Sequence, residues 1–199
     1  SPVVDILEEV LAKVVEDKVQ DSTHSTLVGG ARGPGQGEQG LANRIMQGVR
    51  RAQLPFKLDT ITPGDGNCFS RAVWSQIQRP EIHEDYINYD DIKKRVANFV
   101  EKTELPMIRA FKERYETEVQ PATRKENGGK EETWDAYWQR MLRNQEWSDS
   151  IFIQATAWFL EKDIFIIFST ATPENPFITI SGSWEGPDHP CEGAPLLLG

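Results

Sequence analysis

The chain has 199 residues, of which 38% are hydrophobic and 27% charged, with 31 acidic against 22 basic residues and a formal charge of -9. That length fits one domain of about 150 residues plus an appendage, and the acidic balance disfavours tracking along nucleic acid. No apolar run approaches the ~20 residues that cross a bilayer, and no signal peptide opens the chain. Its two cysteines, Cys68 and Cys191, cannot build a multi-bridge framework, so a reducing, intracellular (cytoplasmic) setting is expected.

Residues 3–19 read as an amphipathic helix, with Val3, Leu7, Val10, Leu11 and Val14 on one stripe. Its apolar face can pack on the body of the protein or on a partner. Residues 1–20 are therefore set apart as an N-terminal helical extension. From Asp21 to Gly40 glycine, serine and threonine dominate, and the stretch reads as a flexible linker. A phosphate-cradling loop is excluded there, because no Gly-Lys-Ser/Thr ending follows.

The body is expected over 41–199. A short helix through Leu41, Ile45, Met46 and Val49 leads to a turn-rich stretch ending in Pro63-Gly64. Helices are then expected over 69–78, 91–102 and 106–116, with Pro106 suited to a first turn. The charged segment 120–132, with Gly128-Gly129, reads as a surface loop. Trp134, Tyr137, Trp138 and Met141 mark a further helical face, and Ser148 or Asp149 can cap a helix through Ile151, Ala155 and Trp158. Then the pattern switches. Ile164 to Phe168 reads as a strand buried on both faces, Phe177 to Ile180 as a second, and Pro195 to Leu198 as the start of a third. Helices first and strands last argue for an α+β fold.

Chemistry concentrates in Pro63-Gly64-Asp65-Gly66-Asn67-Cys68-Phe69-Ser70-Arg71-Ala72. The first half is dense turn chemistry, and Phe69, Ala72, Val73 and Ile77 continue as one helical face. Cys68 thus falls where a loop ends and a helix begins, a position that favours an anion and activates a thiol. The N–H groups of the same loop could bind the oxyanion formed when sulfur attacks a carbonyl. The plain alternative is a buried, inert cysteine. Cys191 reads as a loop thiol. The cysteines and histidines show no paired short spacing, so neither a metal nor another cofactor is expected.

The segment Asp65-Gly66-Asn67-Cys68-Phe69-x-Arg-Ala resembles the nucleophile motif of the ovarian tumour (OTU) family of cysteine proteases, which remove ubiquitin. A second match is Glu146-Trp147-Ser148-Asp149-Ser150, followed by the 164–168 strand. The resemblance covers about residues 41–199 and implies a papain-like OTU fold, a small central sheet flanked by helices. It implies that Cys68 is the nucleophile, that Asp65 orders its loop, and that Gly66, Asn67 and the Cys68 N–H form the oxyanion hole. Ubiquitin or polyubiquitin is the implied partner, with neither nucleic acid nor membrane. For Trp147 ordinary packing is expected. The acidic run Glu81, Glu84, Asp85, Asp90 and Asp91 reads as a solvated face that could meet a basic protein.

The family's base is a histidine just after the final strand. Leu196-Leu197-Leu198-Gly199 looks like that strand, so the base is expected beyond Gly199, on a longer chain. The three histidines present, His24, His83 and His189, read as ordinary loop residues. Two other readings stay open: a non-catalytic ubiquitin-binding module that kept the fold, and a hydrolase for another ubiquitin-like modifier.

Overall fold

A computed structural model describes residues 34–57, 66–77, 88–120, 132–167, 170–185, 189, 191 and 193–198. The helix expected over 3–19, most of the linker, Asp65, His24 and His83 lie outside the described residues, as do 81–87 of the acidic run and 121–131 of the charged loop.

Six α-helices precede three strands among the described residues: α1 (Pro34–Arg51), α2 (Cys68–Ile77), α3 (Tyr89–Lys102), α4 (Pro106–Arg114), α5 (Trp134–Met141), α6 (Ser150–Leu160), then β1 (Ile164–Ile166), β2 (Ile178–Ile180) and β3 (Leu196–Leu198). The α+β expectation holds. One boundary differs: α1 begins at Pro34, inside the stretch read as a linker through Gly40. Each helical glycine there costs about 1 kcal/mol relative to alanine. Proline suits the first turn, and the far end of α1 is held by packing, since Val49 and Ala52 bury against Ile167 and Ala171. Midway along the helical run, α4 passes into a π-helical turn over Tyr115–Val119.

Caps explain where several helices start. Asn88 accepts the N–H of Asp91 at α3, Thr133 that of Ala136 at α5, and Asp149 that of Phe152 at α6, each satisfying a first-turn donor. Asp149, rather than Ser148, is therefore the cap of α6.

The core joins Val73 and Ile77 of α2, Ile92, Val96 and Val100 of α3, and the aromatic cluster of Phe111, Tyr115, Trp134, Tyr137, Trp138, Phe152 and Trp158. Edge-to-face pairs recur in it, such as Phe111–Trp158 at 5.3 Å and Tyr137–Trp138 at 5.1 Å between centroids, the arrangement that ring quadrupoles favour. The sheet order is β2-β1-β3, with β1 antiparallel to β2 and parallel to β3. The β1 strand is shorter and less enclosed than expected. Ile164 is fully buried, whereas Phe165 and Ile166 are half-buried, and Phe165 stacks on Phe177.

One contact ties the nucleophile helix to the last strand. The Gln76 side chain donates to Leu197 O at 2.6 Å and accepts from Leu197 N–H at 2.9 Å. It occupies the edge of β3 that faces away from β1, as a neighbouring strand would. Gln76→Met keeps the bulk and removes both bonds. Stranding two partly buried backbone groups should cost about 2 kcal/mol, a fall in Tm of roughly 4–8 °C for a domain of this size. Calorimetry checks this, and an unchanged Tm contradicts it.

Candidate active site

Cys68 is the first residue of α2, half-buried, and the helix opens with Arg71 N–H donating to Asn67 O at 3.0 Å. First-turn N–H groups of a helix point outward from its N-terminus, where the dipole is positive. The residue two before Cys68, Gly66, has φ +82°, a left-handed conformation that glycine adopts without strain. It also lies hard against another segment. A Cβ built on Gly66 would sit 2.0 Å from the carbonyl oxygen of Gln145 and 2.4 Å from its carbon.

That segment is the turn between α5 and α6. Asn67, only 1% exposed, is its main anchor. Its Nδ2 donates to Asn144 Oδ1 at 2.8 Å, and its Oδ1 accepts from Gln145 N–H at 3.2 Å and from Lys93 Nζ at 2.8 Å. Lys93, a buried cation of α3, also donates to the carbonyls of Arg143 at 3.3 Å and Glu146 at 3.4 Å. Arg140 braces the same turn through Glu132 at 2.6 Å and Glu146 at 2.7 Å. Burial opposes its charge, but the bonds to the two carboxylates prevail and push its pKa up. Next along the chain, Asp149 accepts the Tyr137 hydroxyl at 2.5 Å. Burial, then the Asp149 carboxylate, holds that phenol neutral, with its pKa well above normal.

The structure thus brings together Gly66, Asn67 and Cys68 on one side and residues 143–146 on the other. Lys93, Arg143 and Asn144 were not singled out from the sequence. Lys93 carried a signal, since Lys93, Val96 and Val100 follow the 3,4 spacing of a buried stripe. Trp147 corrects an expectation: it is 61% exposed instead of packed. The backbone on either side of it is committed, Glu146 O to Lys93 and the Asp149 side chain to α6, and the indole is left facing solvent.

The other nominees lie elsewhere. His189 is exposed and pairs with Glu185 at 3.5 Å. Cys191 is a half-buried loop thiol, and neither cysteine is in a disulfide. Burial, then the adjacent Asp163 carboxylate, raises the Cys191 pKa from 9.0 to about 11. A raised thiol pKa keeps sulfur protonated at neutral pH, so at pH 8 only about one Cys191 in a thousand is thiolate. Iodoacetamide at pH 8 should label Cys68 first. Cys191 labelling should rise about tenfold per pH unit until pH approaches 11, as peptide mass spectrometry can follow. Fast Cys191 labelling at pH 8 contradicts this. Among the described residues no helix is long and apolar enough to cross a membrane, and no group of His, Cys, Asp and Glu could hold a metal.

A family model described as OTU-like cysteine protease matches residues 63–191, a span that contains Cys68, the 143–149 turn and the first two strands. The chain belongs to the OTU-like cysteine protease family. The family is one of cysteine hydrolases, and the α+β arrangement seen here agrees with it. No curated protein matches the chain significantly. Within this OTU-like domain the matched region begins just before the Gly66–Cys68 loop, so the site built above belongs to the part that carries the family likeness.

Proposed function

We propose that this OTU-like domain is a ubiquitin-directed thiol hydrolase, with Cys68 as nucleophile and Gly66, Asn67 and the Cys68 N–H as the oxyanion hole. Asp65 belongs to the proposal as the residue that orders the loop. The observation that carries the reading is the placement of Cys68 on the first turn of α2, behind a loop whose Gly66 and Asn67 are locked to a second segment.

On this reading the Cys68 thiolate attacks the carbonyl carbon of the C-terminal glycine of ubiquitin. The C–S bond forms as the carbonyl electron pair moves onto oxygen, where loop N–H groups stabilise it. Collapse of that intermediate expels the lysine amine, which takes a proton from the base, and leaves a thioester. Water, deprotonated by the same base, then releases the carboxylate and restores the thiol. A rigid, prearranged hole is worth most at the two tetrahedral stages.

By resemblance the base is a histidine after the last core strand. Gln76 holds β3 eight residues along α2 from Cys68. His189, paired with Glu185, is not the proposed base.

The test is turnover of isopeptide-linked diubiquitin by the native-length protein, run beside conjugates of other ubiquitin-like modifiers. Cleavage of ubiquitin linkages supports the proposal. Cleavage confined to another modifier overturns its substrate. Tight ubiquitin binding with no cleavage makes the protein a non-catalytic module.

A further inference from the structure

We propose that Lys93 is a positioning residue for the nucleophile loop, its buried ammonium acting through Asn67 to fix the Gly66–Cys68 backbone against the 143–146 turn. This rests on the hydrolase reading for its consequence, though not for its geometry.

Lys93 is 2% exposed on an α3 face whose other members, Ile92, Val96 and Val100, are apolar core. An ammonium so placed gives up its hydration and must replace it with hydrogen-bond acceptors in the protein. Among the described residues its acceptors include Asn67 Oδ1, Arg143 O and Glu146 O. These three belong to two segments, the one that leads into Cys68 and the turn that packs on it. Three donors radiating from one nitrogen cross the seam between them.

Lys93 also decides which way the Asn67 amide faces. Oxygen and nitrogen of an amide have nearly the same shape, but an ammonium is donor only, so the oxygen must point at it. With Oδ1 held by Lys93 and by Gln145 N–H, Nδ2 is aimed at Asn144 Oδ1. The side chain is fixed at both ends, and the peptide joining Asn67 to Cys68 inherits that orientation. A methionine could fill the same volume without setting any of this.

The experiment compares native-length wild type, Lys93→Met and Asn67→Ala. It reads thermal stability, kcat and KM on ubiquitin bearing a C-terminal fluorogenic amide, iodoacetamide labelling of Cys68, and amide hydrogen exchange. For Lys93→Met, kcat should fall about 10- to 100-fold while KM and the labelling rate stay within about threefold. Exchange should accelerate in residues 66–70 and 142–148 and stay unchanged in α6 and the sheet. Wild-type kcat and exchange in folded Lys93→Met overturn the proposal. So does acceleration throughout the core, which makes Lys93 a general structural residue. Should Lys93→Met not fold, Asn67→Ala decides: it should show the same two faster segments, and unchanged exchange at 142–148 overturns the link. Wild type inert toward ubiquitin sinks the hydrolase reading instead, and the exchange data then judge Lys93 alone.

Discussion

Gly66→Ala is expected to lower kcat/KM on a ubiquitin substrate by at least about 100-fold, through two independent penalties. At φ +82° an alanine is strained by roughly 1–2 kcal/mol. The larger penalty is steric. The new methyl would lie 2.0 Å from Gln145 O and 2.4 Å from its carbon, both main-chain atoms that no rotamer change can move. Nor can the turn retreat cheaply, because Gln145 N–H bonds Asn67 and the neighbouring carbonyls hold Lys93. The nucleophile loop must move instead. A shift of about 1 Å at donors meant for an oxyanion is enough for a loss of this size. Steady-state kinetics, with circular dichroism to show that the helices persist, check it. An alanine variant with wild-type turnover contradicts the role given to this close approach.

Cys68→Ser should leave fold and ubiquitin binding nearly intact and abolish turnover, by about 10⁴-fold or more. Oxygen replaces sulfur with little change in volume, so a change in Tm of only a few degrees is expected. The hydroxyl, however, is far less acidic than a thiol and far less nucleophilic at neutral pH. Cys191→Ser is the matched control. Its thiol, raised to about 11 beside Asp163, is almost wholly protonated at neutral pH, and its loss should change kcat by less than about twofold. Equal losses in the two variants would contradict the assignment of Cys68.

Much of this architecture could be read before any coordinates. The apolar spacing of 92, 96 and 100, Pro106 at a first turn, and the switch to Ile164-Phe165-Ile166 each report local physics, and each element formed. The junction at Cys68 was equally legible, since turn residues followed by a 3.6-residue pattern fix a helix start. What stayed hidden was contact between distant segments. Gln145 lies 79 positions beyond Gly66, and nothing local says that one backbone packs on the other. The role of Lys93 was equally hidden, because its value comes from acceptors on two other segments. Trp147 misled for the opposite reason: bulk apolar residues usually bury, and only the tethered backbone around it turns the ring outward. The helix start at Pro34 was obscured by glycines whose propensity cost is met by packing near Val49.

The most direct test uses ubiquitin carrying a C-terminal electrophile, mixed with the native-length protein and followed by intact-mass and peptide mass spectrometry. The account predicts a single covalent adduct, mapped to Cys68, lost in Cys68→Ser and slowed strongly in Gly66→Ala. A folded protein that forms no adduct, or forms it on Cys191, would contradict it.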